Sequence, residues 1–323
     1  MNLLHKLVAI FVMAILCGSP ASLWAQSAAK DYPNKPIRIV TSEAGGGNDI
    51  QARLVAQGLA GALGEQVVVE NRPSGVIPGE IVSKAPPNGY TLLLYNNTLW
   101  IGPLLQNTPY DVVRDLAPIT SVAKGANVLV VNPATPVKSV AELVALAKAK
   151  PGELNYGSSG TGASNHLAGE LFRAMAGVNI VRINYKGAGP ALTALLAGEL
   201  QLMFPTAGAV TPHVRAGRVR ALAVTSAEPT ALFPGVPTVA ASLPGYESIS
   251  IYGVFAPAKT PRTIIDKLNE EIVRFLNRAD VKEKFFNAGM ETVGGPPEQL
   301  AATVKSEMAR MSKVIRDAGI RGE

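Results

Sequence analysis

Residues 156–167 read YGSSGTGASNHL and place Ser158, Ser159 and Thr161 among three glycines, between a short apolar run and the start of a helical pattern. Three kinds of chemistry suit such a loop: a nucleophilic serine, a cradle for a nucleotide phosphate, or a hydrogen-bonding seat for a small carboxylate. The nucleophile reading is weak because GSSGT does not fit G-x-S-x-G and because His166 falls on the following helix. The phosphate reading is weak because the loop lacks the lysine of a P-loop, and neither it nor EAGGGND at 43–49 has the full G-x-G-x-x-G register.

The same design recurs. TSEAGGGND (41–49), NRPSGVIPGE (71–80) and YKGAGP (185–190) each follow a strand-like run and precede a helical one. A helix N-terminus leaves about four N–H groups unpaired and carries partial positive charge, and small residues let an anion reach that backbone. One glycine loop is ordinarily a turn. Several at equivalent strand-to-helix positions, with little titratable chemistry between them, point to binding of an acid with one or two carboxylates and to no enzymatic activity; a serine hydrolase is the minor alternative.

The titratable inventory narrows this further. Cys17 is the only cysteine, and besides His5 the chain has only His166 and His213, isolated from each other, so thiol catalysis, a zinc site and any cofactor are not expected. Lys6, the apolar run from Leu7 to Leu16, the break at Gly18-Ser19-Pro20 and the small residues near Ala25 read as a secretory signal peptide over 1–25. Cys17 would leave with it. Removing Lys6 from the formal charge of +6 leaves +5, without a dense basic cluster or interleaved aromatics, which argues against nucleic-acid binding.

These loops must be held by alternating strands and helices. IRIVT (37–41) precedes NDIQARLVAQGLAGAL, whose Ile50, Leu54, Val55, Leu59 and Leu63 recur at helical spacing; VVVE, a turn-rich stretch and YTLLLY follow. NVLVVNP then opens a second set: SVAELVALAKAK with a possible Ser139/Glu142 capping box, LNYG, a helix from about Ala163, VRIN, a helix to Gly198, LQLMF and RALAVT. After the strand-like ISIYGVFAP the chain is helical from Pro261 onward. Helices alone cannot build a third α/β unit, so they should pack back on the first. The pattern predicts two α/β domains, 26–127 plus 254–323 and 128–253, joined by two crossovers near 128 and 254, with a cleft that closes on a ligand.

The segments YPNKPIRIV, GGGNDIQAR, VVVENRP, NGYTLLLYNN, YDVVRDLAPIT, YGSSGTGASNHLAGELF, YKGAGPALTALLAGEL, HVRAGRVRALAVTSA, FPGVPTVA and GVFAPAKTP, in that order, resemble the periplasmic solute-binding proteins of tripartite tricarboxylate transporters, the Bug family. The resemblance implies a type II periplasmic-binding-protein fold and capture of a small carboxylic acid (a di- or tricarboxylate, hydroxy or aromatic acid). It further implies a periplasmic, monomeric protein that delivers its ligand to membrane permease subunits. Presentation of the ligand to a membrane sensor kinase is the alternative.

Departures from the family pattern fall in its pocket. Thr41, Ser42, Glu43, Ala44, Gly45 and Gly46 stand where the family usually has Pro-Phe-x-Pro-Gly-Gly, and SGVIPGEI is shorter and bulkier than the usual glycine-rich loop. Pro205 occupies the position of an aspartate that meets the ammonium group in many amino-acid-binding relatives, which disfavours an amino acid unless Glu43 turns inward. Ser158, Thr161 and Gly162 are expected to hold the carboxylate, Gly187 and Ala188 to meet it from the next loop, and Ser42, Glu43 and Ala44 to close from the other domain. Gly75 and Asn97 are rim candidates. Asp49 is expected to brace its own helix, and Lys186 to be solvated.

Overall fold

The computed structural model describes residues 32–317, 319 and 320; the signal-peptide reading of 1–25 lies outside the described residues. Among the described residues no helix is long and apolar enough to cross a membrane.

The first sheet has six strands in the order β11-β4-β10-β3-β1-β2. They are β1 (Ile37–Thr41), β2 (Val67–Asn71), β3 (Thr91–Asn96), β4 (Leu116–Ala126), β10 (Ile249–Pro257) and β11 (Glu291–Thr292). β1 pairs in parallel with both β2 and β3, and the chain reaches each through a helical connection. The turn-rich stretch after β2 contains a seven-residue helix, α2 (Ile77–Ser83), with a proline in its first turn. One face of the sheet is closed by α1 (Gly47–Leu63), α9 (Arg262–Leu276) and α10 (Ala279–Asn287) around Ile39, Leu59, Leu268 and Phe285. The other is closed by α2, the single turn α3 (Thr98–Ile101) and α11 (Pro297–Asp317) around Trp100, Phe255, Leu300 and Val304. The short helix α4 (Val112–Asp115), capped by Asp111, leads into β4.

The second sheet has five strands in the order β7-β6-β8-β5-β9. β5 (Val128–Val131), β6 (Asn155–Ser158), β7 (Val181–Asn184), β8 (Leu202–Met203) and β9 (Arg220–Val224) are flanked by α5 (Val140–Ala149), α6 (Ser164–Ala176), α7 (Ala188–Ala197) and α8 (Ala207–Arg215). Ser139 caps α5 by accepting from the Glu142 N–H at 3.1 Å, while Glu142 reaches back to the Lys138 N–H at 2.7 Å. α8 tolerates Pro212 inside it. Gly177 and Gly198 end α6 and α7 in the left-handed conformation that glycine adopts without strain.

The chain passes from the first sheet to the second at Asn127 and returns between Val224 and Ile249. The two passages are tied side by side: the Thr225 N–H donates to the Asn127 carbonyl at 2.9 Å, and the Asn127 N–H to Thr225 Oγ1 at 2.8 Å. The lobes also touch elsewhere. Leu167 of α6 packs into the first lobe's apolar cluster with Trp100 and Leu300, and Val314 of α11 touches clusters of both lobes. A Cβ on Gly208 would stand 1.9 Å from the Ala288 carbonyl oxygen, so α8 approaches the Ala288-Gly289 backbone closely enough to require glycine. The result is a type II periplasmic-binding-protein fold, two α/β lobes with a cleft between them.

Candidate ligand cleft

Four helices begin at the cleft. Gly46, Gly47 and Asn48 of α1, Ala163, Ser164 and Asn165 of α6, Ala188 of α7, and Thr206 ahead of α8 all line one cavity of about 70 Å³. None of the four N-cap residues, Gly46, Ala163, Gly187 and Thr206, accepts a first-turn N–H with its side chain. First-turn N–H groups are therefore left for something between the lobes, and the summed helix dipoles favour a negative charge there. An outer groove of about 1000 Å³ shares Glu43, Ser74, Gly75, Ser159, Gly160 and Thr161 with this cavity.

The first lobe contributes residues from the carboxyl ends of its parallel strands, where open α/β sheets place their binding crevice. Asn48 Nδ2 donates to Ser42 Oγ at 3.0 Å, Ser74 Oγ donates to Glu43 Oε2, and the Gly75 N–H donates to the Tyr95 hydroxyl at 3.0 Å. Burial pushes the Tyr95 hydroxyl up to about 12, the Gly75 bond opposes this, and the Glu43 charge adds to it, so Tyr95 stays a neutral phenol. In the second lobe Arg182 on β7 runs beneath the loop that follows β6: its Nε donates to Ser158 Oγ at 2.7 Å, and both terminal nitrogens reach Thr161 Oγ1 at 3.4 Å.

Of the residues expected at the site, Ser42, Glu43, Gly75, Thr161 and Ala188 line the cavity, and Ala44 lines the outer groove. Gly187 sits beside Glu43: a Cβ there would lie 3.5 Å from Glu43 Oε1. Ser158, Gly162 and Asn97 stand behind the wall. Ser158 is fully buried against Arg182, the Gly162 carbonyl accepts from Thr98 Oγ1 at 3.0 Å, and Asn97 Nδ2 donates to the Ile249 carbonyl. Lys186 lines the outer groove. Tyr252 lines the cavity while packed in the core, whereas Trp100 belongs to the core alone.

Sequence reasoning passed over Asn48, Ser74, Tyr95, Asn96, Asn165, Thr206 and Arg182. The strand ends carried the available signal. Tyr95 and Asn96 close β3, and a buried parallel strand followed at once by a helix delivers its last residues to the crevice.

Residues 51–320 match the family model described as the tripartite tricarboxylate transporter family receptor. The chain belongs to that family. The receptor is 36% identical to Protein BugT of Bordetella pertussis, over 99% of both chains. Among solved structures it is similar to R. palustris Rpa4515 with adipate (TM-score 0.87, 36% identity, 91% of this chain and 100% of that one). It is also similar to MatC from Rhodopseudomonas palustris with bound malate (TM-score 0.83, 26% identity, 88% of this chain and 100% of that one).

Electrostatics keep the receptor's second-lobe loop poised. His166 Nδ1 accepts from the Gly162 N–H at 3.1 Å; burial first, then the Arg182 charge, depress its pKa to about 4, so the imidazole is neutral at pH 7 and can accept. Burial pushes Asp49 up, but bonds from Arg53, the Gly45 N–H and Asn71 outweigh it and hold the carboxyl below its usual range. Asp49 thus ties the glycine loop to its own helix and to β2.

Proposed function

We propose that the receptor captures a small carboxylic acid between its lobes in the periplasm, after removal of residues 1–25, and delivers it to the permease subunits of a tripartite tricarboxylate-type transporter. The observation that carries this is the convergence of four helix N-termini without side-chain caps on one cavity. Adipate in one relative's structure and malate in another's support the ligand class. The reading takes the protein as a monomer with domains 26–127 plus 254–323 and 128–253, and as a binder without turnover.

In this reading Thr161, Ala188 and the α6 N-terminus seat the carboxylate, each charge-assisted bond contributing about 1.5 to 3 kcal/mol when desolvated. Ser158 and Gly162 act from behind by fixing the loop, and Ser42, Glu43, Ala44 and Gly75 close from the facing lobe. Asn97 braces the rim, and Gly187 gives Glu43 room.

Calorimetry and thermal shift on protein purified from a periplasmic fraction, against a panel of carboxylic acids, test the proposal. One acid should bind with 1:1 stoichiometry, and at 100 times its Kd it should stabilise the fold by about 2.7 kcal/mol. Sustained hydrolysis that Ser158→Ala or Ser159→Ala abolishes would overturn the non-enzymatic reading, and absence of any acid ligand would overturn the rest.

A further inference from the structure

The cavity wall holds a single formal charge, and it is negative. Glu43 is its only Lys, Arg, Asp or Glu side chain. Arg72 and Lys186 belong to the outer groove, and Arg72 Nε is already engaged by Glu70 Oε1 at 2.6 Å. Glu43 Oε2 accepts from Ser74 Oγ, and its Oε1 lies beside Gly187, the N-cap of α7. The protein's own carboxylate thus stands beside one of the four positive helix ends.

This arrangement removes a seat from a dianion. A diacid reaching from α6 across to the first lobe would set its second carboxylate against Glu43, a like charge in a partly desolvated site, where repulsion is stronger than in water. A second, independent feature of the same wall asks for the opposite group. Asn48 is 8% exposed, and its Oδ1 is a buried acceptor with no partner among the described residues, while its Nδ2 is used by Ser42. A buried acceptor left unpaired is costly, so the wall presents two acceptors, Glu43 and Asn48 Oδ1, that a donor on a ligand would complete.

We propose that Glu43 restricts the cavity to acids bearing one carboxylate together with an ammonium group on the same small molecule: amino acids rather than dicarboxylates. This rests on the carboxylate-receptor reading above and narrows it. The carboxylate sits at the α6 N-terminus with Thr161 and Ala188, as above, and the ammonium faces Glu43 and Asn48, so the ligand bridges lobes whose facing surfaces differ in sign.

The test is calorimetry of the purified protein and of Glu43→Gln with 4-aminobutyrate against succinate, 6-aminohexanoate against adipate, and α-amino acids against their deaminated monocarboxylates. Glu43 is half-exposed on a loop and Gln can keep the Ser74 bond, so the variant should fold, which circular dichroism checks. In the unmodified protein at least one amino acid should bind tenfold or more tighter than its dicarboxylate and deaminated counterparts. Glu43→Gln should weaken that amino acid at least tenfold and strengthen the dicarboxylate. A dicarboxylate that binds best to the unmodified protein, or a preference that Glu43→Gln leaves unchanged, overturns the inference while sparing the carboxylate-receptor reading. Failure of every acid to bind overturns both.

Discussion

Thr98 Oγ1, on the single helical turn after β3, donates a 3.0 Å hydrogen bond to the carbonyl oxygen of Gly162, in the second lobe's binding loop. The bond crosses the cleft next to the cavity, so it exists only while the lobes are together. Thr98→Val keeps the side-chain shape and deletes the donor. Small-angle scattering should find a larger radius of gyration for the ligand-free variant than for the unmodified protein, with saturating ligand restoring the compact value. Gly162→Val should act more severely: φ is +79° there, and a Cβ would stand 3.1 Å from the Gly102 Cα, so neither the conformation nor the space suits a β-branched residue.

His166 makes stability pH-dependent. Its folded pKa of about 4 lies below the 6.5 of the unfolded chain, so between these values the unfolded state binds more protons and stability rises with pH. The loss on acidification from pH 6.5 to 4 is on the order of 3 kcal/mol from this group, and below about pH 4 it adds nothing more. Denaturant unfolding across that range, compared with His166→Gln, should show a shallower slope in the variant. Parallel slopes would refute the assignment.

Arg182 should matter more to affinity than its place behind the wall suggests. It holds Ser158 and Thr161 from below and brings positive charge beneath the seat proposed above for the carboxylate. Arg182→Gln should weaken acid binding about tenfold, equivalent to about 1.4 kcal/mol. Titration of the two proteins with one acid decides, and equal affinities would remove Arg182 from the binding account.

Tyr156 tests the scaffold rather than the site. Its buried hydroxyl donates to Glu170 Oε1 at 2.6 Å, while Arg173 holds Glu170 Oε2 at 2.6 and 3.0 Å. Tyr156→Phe leaves the carboxylate paired with Arg173, so the expected cost is about 1.5 kcal/mol, at the lower end for a bond to a charged group. Chemical denaturation should show it, with ligand affinity unchanged.

Periodicity made much of the framework legible. IRIVT coincides with β1, the apolar repeat from Ile50 to Leu63 falls within α1, and Ser139 caps α5. α8 was harder to read, because Pro212 interrupts the pattern that betrays a helix and only packing of Ala207 and Val210 supports it. For the site, small-residue loops located the helix ends but not the depth of each side chain. Ser158 closes β6 and Thr161 lies three residues on in the loop, yet one is sealed against Arg182 and the other faces the cavity. Pro205 turns its carbonyl to the Val128 N–H at 2.8 Å, while the neighbouring Thr206 and, from the facing lobe, Glu43 line the cavity.

Leu167 gives the lobes a timetable. This second-lobe leucine is 2% exposed and packed among first-lobe side chains, so separating the lobes uncovers apolar surface at roughly 25 cal/mol per Å². Opening is therefore an uphill step that a ligand must wait for. The competent fraction scales the apparent affinity, and at high ligand concentration the observed association rate should level off at the opening rate instead of rising linearly. Leu167→Ala should raise that plateau. In transport terms, the same leucine would govern how long a captured solute is carried before it is surrendered.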